Sequence, residues 1–296
     1  MPLYIEPHAG PVPVVQVIQS ARHNVSVEVY YLDSRPILNA LRAAHNRSVN
    51  VRVILDKHPY GMKLWQIRKE VREVEATGAK LHWAPPRFEA DPAAGRYVFM
   101  HAKVVASNHE AEIGTANLDW GAWHRNRELV YDTRDPAVVK ATNMVFNADW
   151  DNRRAGNYPH RILVLSPGSE AKLQSVIDQP GPIEIESEEM GNDRAMLDAI
   201  AAKGRLAKVI LPASISAQDK RNVAWLESMG VQVRLMPVKP MYIHCKDIVS
   251  NTEAFVGSEN FSVSSLNRNR EAGLILDGRP VRELQAQFNR DWARAG

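Results

Sequence analysis

The 296-residue chain holds a single cysteine, Cys245, so no intrachain disulfide can form and no thiolate cluster can bind a metal. It has no run of about eighteen apolar residues, so no segment reads as a membrane-spanning helix. Its start, Met1 to Pro7, lacks both a basic region and an apolar core, so no secretory signal is visible. The expectation is a soluble protein, cytoplasmic, or secreted if a leader has been removed upstream. Charge of one sign is also scarce: 37 Lys and Arg against 34 Asp and Glu leave a net +3. That excludes the basic excess of a nucleic-acid coat but is compatible with an anionic substrate. Gly and Pro, at 16 and 18, do not suggest disorder, and 45% hydrophobic residues suffice for a substantial core.

What is present is a duplication. His101-Ala-Lys103 is followed by Gly114, Asn117 and Glu128 at offsets of thirteen, sixteen and twenty-seven residues. His244-Cys-Lys246 is followed by Gly257, Asn260 and Glu271 at the same offsets. A lone His-x-Lys carries little information; the set repeated in register says that the chain is two copies of one unit, each bringing half of a site. The copies extend further. Val51 to Leu55 matches Ala207 to Leu211, Gly78 to Pro85 matches Gly230 to Pro237, and Phe146 to Trp150 matches Phe288 to Trp292. Near the start of each copy, Val25 to Tyr30 is paired with Pro182 to Glu186.

Helical periodicity marks Ser34 to Ala44 and Arg194 to Lys203, and second helices are expected over Trp65 to Thr77 and Asp219 to Met229, each stopped by a glycine. Tyr4 to Glu6 reads as a first strand. Strands alternating with helices imply an α/β fold, with two sandwich halves over 1–155 and 156–296 forming a pseudo-dimer around one active site. The polar, turn-rich stretch 151–160 marks the boundary.

Residues two apart on a strand share a face. If Tyr97 to Ala106 is such a strand, His101 and Lys103 point the same way, Ala102 and Val104 pack behind, and Asn108-His109 makes the turn. Gly114 and Gly257 are then expected to let the backbone approach a bound oxyanion, with the Asn117 and Asn260 amides as donors. Two such faces offer two imidazoles, two ammonium groups and two amides. That set suits metal-free phosphodiester cleavage: Lys103, Lys246 and the amides stabilise the transition-state charge, one histidine attacks phosphorus, and the other serves as acid and base. Glu128 and Glu271, each in an Asn-Arg-Glu run, are placed to fix the histidine tautomers.

These residues resemble the signature of the phospholipase D superfamily, His-x-Lys-x4-Asp followed by Gly-Ser/Gly-x-Asn, twice in one chain. The resemblance covers essentially the whole sequence, and Gly257-Ser258-Glu259-Asn260 matches most closely. It implies a phosphohistidine intermediate, no cofactor and no metal, with His101 as nucleophile and His244 as acid and base; the residues alone are too symmetric to order the two. The motif aspartate is replaced by Asn108 and Asn251. That position mainly supports structure in the superfamily, and tyrosyl-DNA phosphodiesterases lack it, so the change leaves catalysis in place but weakens the signature as an argument for a lipid.

Some of the remaining residues carry two readings. Thr115 and Ser258 either donate to the phosphate or serve a turn. Trp120 and Trp123 either rim the site as substrate-binding groups or pack over the hairpin. Arg127 and Arg270 are expected in structural ion pairs, Cys245 as a small buried residue, and His82, His109, His124 and His160, which do not repeat, as surface or loop residues. Aromatic and apolar groups beside lysines at 57–65, 120–123 and 237–243 suit a phospholipid and peripheral contact with a membrane surface. The same mixture would stack nucleobases, so nucleic acid is the alternative substrate. An inactive scaffold is the third reading, set against the survival of all eight motif residues. The layout resembles bacterial phospholipase D and cardiolipin-synthase-like proteins, and the chain is expected to act as a monomer.

Overall fold

A computed structural model describes residues 2–296. The first half contributes β1 (Leu3–Ile5), β2 (Asn24–Val29), β3 (Asn50–Leu55), β4 (Lys80–Trp83), β5 (Lys103–Ala106), β6 (Ala111–Gly114), β7 (Asn126–Arg127) and β8 (Leu129–Thr133). The second contributes β9 (Val164–Ser166), β10 (Ile183–Ser187), β11 (Ala207–Pro212), β12 (Gln232–Met236), β13 (Tyr242–Ile243), β14 (Lys246–Val249), β15 (Glu253–Gly257) and β16 (Glu271–Asp277). Two seven-stranded sheets result, in the orders β1-β8-β6-β5-β2-β3-β4 and β12-β11-β10-β14-β15-β16-β9. Read in opposite directions they are the same sheet, with three parallel strands joined to an antiparallel set. The duplicated α/β architecture read from the sequence is therefore present strand for strand.

Helices cover both sheets: α1 (Val12–Ser20), α2 (Arg35–Asn46), α3 (Leu64–Glu75), α4 (Trp120–His124) and α5 (Pro136–Trp150) in the first half. Then follow α6 (Asn157–Ile162), α7 (Glu170–Ile177), α8 (Arg194–Lys203), α9 (Ala217–Ser228), α10 (Val263–Asn267) and α11 (Arg279–Trp292). Periodicity located α2 and α8 because Ile37, Leu38, Leu41 and Ala44, or Met196, Leu197, Ile200 and Ala201, form one buried face. α9 starts on a capping box in which Ser216 and Asp219 satisfy each other's backbone N–H groups. α3 and α9 are followed by Gly78 and Gly230, at φ 85° and 93°, a left-handed conformation that glycine adopts without strain. α1 and α7 were not read from the sequence.

Each sheet buries its outer face under its own helices, with Val14, Ile18 and Leu41 on one side and Leu173, Ile177 and Ile200 on the other. The inner faces share one core, in which Met100, Ile113 and Phe146 of the first half pack with Ile243, Leu274 and Phe288 of the second. α5 and α11 flank this core, and β5 and β6 meet β15 and β16 across it. Burial of this kind contributes roughly 1.5–3 kcal/mol per large apolar side chain, which ties the halves together before any polar contact is counted.

Candidate active site

The strand expected over Tyr97 to Ala106 begins only at Lys103. The residues before it instead run along the Asn-Arg-Glu segment of the other half. His101 N donates to Arg270 O at 2.8 Å, and Arg270 N donates to Phe99 O at 2.9 Å. The second half mirrors this: β13 pairs in parallel with β7, Tyr242 N donating to Arg125 O at 2.9 Å and His244 N to Arg127 O at 3.3 Å. Each histidine is thus held by backbone from the opposite copy.

The arginines between them lock this crossing. Arg127 donates Nε and Nη2 to Asp291 at 2.7 and 3.0 Å, and Arg270 donates the same atoms to Asp149 at 2.6 and 3.1 Å. Both pairs join opposite halves, both are buried, and their acids are the aspartates of the repeated Asp-Trp ends. A planar guanidinium matched to a carboxylate fork fixes orientation as well as distance.

The histidine–glutamate pairs also cross. His101 Nδ1 lies 2.9 Å from Glu271 Oε2, and His244 Nδ1 lies 2.7 Å from Glu128 Oε1, although the second contact is off the ring's N–H direction. Both carboxylates are buried and held by further donors. Glu128 accepts from Thr115 Oγ1 at 2.6 Å and Asn126 Nδ2 at 3.1 Å; Glu271 accepts from Ser265 Oγ at 2.7 Å and Asn269 Nδ2 at 3.0 Å.

Lys103 and Lys246 are almost fully buried, and each donates to the carbonyl of its own motif histidine. Their surroundings differ. Burial pushes Lys103 down to about 7, opposed by Glu271 and reinforced by the Lys246 ammonium. Burial acts on Lys246 too, but the Glu188 and Glu128 carboxylates hold it above its ordinary value. His101 is pushed below its usual value by burial, with Glu271 opposing and both lysines adding to the effect. The amide oxygens of Asn117 and Asn260 are buried without a partner, in equivalent places on the two halves.

Glu188 is the residue that motif reading missed. Its Oε2 sits 2.9 Å from Lys246 Nζ and 3.4 Å from His244 Nε2. Burial alone would raise this acid, but His244 and Lys246 hold it well below the usual carboxylate range. It was missed because it does not repeat, as the strand register shows. Val25 pairs with Val51 and Ile183 with Ala207, while Val29 faces Lys103 and Ser187 faces Lys246. The copies therefore align one residue later than the sequence pairing of Val25 with Pro182, and the residue opposite Glu188 is Tyr30. The Tyr30 ring lies 4.8 Å from the His101 ring and 5.3 Å from Lys103 Nζ.

Other expectations change. The Thr115 hydroxyl is buried against the Glu128 carboxylate, and the buried Ser258 Oγ accepts from Ala272 N at 3.0 Å, which favours the bracing role over donation to a phosphate. Trp123 is buried, its indole N–H donating to Ser34, whereas Trp120 is 59% exposed and stacks on His124. Gly114 and Gly257 are needed for a reason other than oxyanion approach: a Cβ there would lie 2.2 Å from Leu129 O or 2.6 Å from Gly273 Cα. His82 is exposed, as expected, and stacks 3.7 Å from Trp150. Cys245 is buried and donates to Glu186 Oε2 at 3.2 Å. With Asp247 these form the one cluster of potential metal-ligating groups among the described residues, and burial pushes all three up, Glu186 to about 8.

The family model described as the phospholipase D-like domain of cardiolipin synthase matches residues 14–150 and 183–292. The cardiolipin synthase of Alkalihalophilus pseudofirmus is 27% identical over 143 residues, 46% of this chain and 26% of that protein. Cardiolipin synthase A of Pseudomonas entomophila is 29% identical over 142 residues, 47% of this chain and 28% of that protein. The chain thus matches about a quarter of the length of these relatives. Among solved structures, phosphatidylserine synthase of Haemophilus influenzae matches 99% of this chain and 85% of its own, with a TM-score of 0.66 and 12% identity. Polyphosphate kinase of Porphyromonas gingivalis matches 97% of this chain and 49% of its own, with a TM-score of 0.70 and 12% identity. At that identity the likeness concerns fold alone.

Proposed function

Since the chain belongs to the family of the phospholipase D-like domain of cardiolipin synthase, within the phospholipase D superfamily, we propose that it cleaves and transfers phospholipid phosphodiesters through a phosphohistidine. His101 attacks phosphorus through Nε2. Its lowered pKa keeps the ring neutral, and Glu271 on Nδ1 holds the proton away from the attacking atom. The bond to the leaving alcohol breaks, and that oxygen takes a proton from His244 Nε2. Water or a second alcohol then gives its proton to His244, its oxygen joins phosphorus, and His101 is released. Lys103, Lys246 and the Asn117 and Asn260 amides stabilise the charge on the non-bridging oxygens.

The order of the histidines is supported by Glu188. Both histidines have a glutamate at Nδ1, but only His244 has a second carboxylate facing Nε2, which suits the nitrogen that donates to the leaving oxygen, not the one that attacks. These roles need groups that the chain itself supplies, so no cofactor or metal is assigned.

The observation that carries the lipid reading is the apolar ground beside His101. A cavity of about 330 Å³ is lined by Tyr60, Met62, Tyr97 and Phe99, the last with its ring 6.0 Å from that of Tyr30. Tyr60, Leu64, Trp65 and Tyr97 are each half or more exposed. Such a rim suits acyl chains at a bilayer surface, with the lysines meeting phosphate below. The test is turnover, with EDTA present, of phosphatidylcholine and phosphatidylglycerol vesicles and of single- and double-stranded oligonucleotides, for the wild type and His101→Ala. Lipid turnover lost in the variant is the expected result. Turnover of oligonucleotide alone would replace the lipid reading with a nuclease.

A further inference from the structure

The motif residues repeat, but the residues laid over them do not. Tyr30 and Glu188 each follow the strand residue paired with a motif lysine, so they hold equivalent places in the two halves. One covers His101 and Lys103 with an aromatic ring; the other sets a carboxylate against His244 and Lys246. The carboxylate belongs to a polar corner: Tyr242 Oη lies 3.4 Å from Glu188 Oε1, and Glu189 is the next residue.

We propose that Glu188 marks the subsite of the exchanged alcohol and selects, by hydrogen bonding, an alcohol with a second donor group, a hydroxyl or an ammonium, close to the reacting oxygen. This rests on the phosphatidyl-transfer reading above. In-line displacement puts the departing oxygen opposite the attacking nitrogen, so the alcohol displaced by His101 lies at His244. Glu188 Oε2 is 3.4 Å from that acid's Nε2 and thus stands beside the departing and arriving oxygen. Its present partner is the Lys246 ammonium. A bound phosphodiester competes for that ammonium, and the half-buried carboxylate, with 27% of its side chain exposed, is then free to accept from a donor on the alcohol beside it. A neighbouring hydroxyl or ammonium of the alcohol supplies that donor. A plain alkanol does not, and an alcohol bearing its own phosphate or carboxylate meets like charge. Glu188 exchanges no proton in this scheme; it only accepts a hydrogen bond. The Tyr30 side, whose ring meets Phe99 on the wall of the apolar cavity, is left for the retained apolar group.

The test is competition within one reaction. The full chain is given a phosphatidylcholine donor with equal concentrations of glycerol, ethanolamine and 1-propanol, and the transfer products are counted against each other. A product ratio cancels any change in overall rate. The wild type is expected to favour glycerol and ethanolamine over 1-propanol by about tenfold or more, the scale of one hydrogen bond to a charged group. Glu188→Ala and Glu188→Tyr, the second copying the other half, should bring the ratios close to one. Glu188→Gln keeps the shape and an acceptor oxygen but not the charge, and should lose preference for ethanolamine more than for glycerol. Lipid turnover with the same ratios in every variant would overturn the subsite and leave the phosphatidyl-transfer reading standing. If vesicles are not turned over, the competition is run on bis(p-nitrophenyl) phosphate. Altered ratios there would retain the subsite without the lipid, and no turnover of either donor would overturn both.

Discussion

His101 and Glu271 stand 2.9 Å apart, although 170 residues of chain separate them and they belong to opposite copies of the repeat. His244 and Glu128 form the reciprocal pair. Neither copy therefore holds a complete imidazole–carboxylate unit; each lends its glutamate to the other's histidine. The Arg127–Asp291 and Arg270–Asp149 forks, and the backbone bonds from His101 to Arg270 and from His244 to Arg127, cross the same boundary.

The two glutamates should be separable by leaving group. Glu271→Gln and Glu128→Gln are each expected to lower kcat on lipid by roughly 10²–10⁴-fold, the range of a lost acid–base function. p-Nitrophenolate departs without a proton, so a p-nitrophenyl phosphodiester should recover much of the loss in Glu128→Gln, where protonation by His244 is impaired. It should recover little in Glu271→Gln, where attack by His101 is impaired. Equal recovery in both variants would refute the assigned order.

Lys103→Ala and Lys246→Ala should each remove about 2–4 kcal/mol of transition-state stabilisation, read from kcat/KM, by analogy with losing an oxyanion donor. EDTA should leave wild-type turnover unchanged. Inhibition by EDTA that added zinc reverses would show that the histidines and lysines do not suffice.

The pH profile of kcat/KM should peak on the acid side of neutrality. His101 must be neutral to attack, and its lowered pKa keeps it so below its ordinary value, which moves the acid limb down. Lys103 must be charged, and its pKa of about 7 in the free protein means that activity is lost as pH rises through that value. A bound phosphate favours the ammonium, so the alkaline limb of kcat should lie higher than that of kcat/KM. An alkaline optimum in kcat/KM would contradict the burial of Lys103.

Removing a fork should cost stability and not only activity. Arg127→Met leaves Asp291 buried against Gln287 with no fork partner, and breaking a buried pair in this way costs about 3–5 kcal/mol. Urea unfolding followed by circular dichroism measures it. The double variant Arg127→Met/Asp291→Leu should recover a large part of the loss. If it unfolds as readily as the single variant, the pair's contribution is not that of an uncompensated charge.

Much of this was legible in the chain because the repeat carries it. The offsets from His to Gly, Asn and Glu survive duplication, and amphipathic stretches such as Arg194 to Lys203 announce themselves by period. What crosses between copies was not legible. Which glutamate meets which histidine, and where Arg127 finds its acid, depends on how two sheets face each other, and neither spacing nor periodicity encodes that. Thr115 and Trp123 were candidates for the ligand side because a short polar or aromatic residue near a motif reads the same whether it faces outward or inward. Glu188 was hidden because nothing of its type repeats: Tyr30 holds its place in the first half, and a search for repeated residues passes over both.

The pairing of Tyr30 with Glu188 has a further meaning. Two separate identical subunits meeting on a twofold axis must present the same side chain at both positions, so whatever improved the nucleophile's side would be imposed on the acid's side as well. Joining the copies in one polypeptide releases each position to change alone. The covalent link between the halves is therefore not only a tether: it allows one surface of the reaction to become greasy and the other charged.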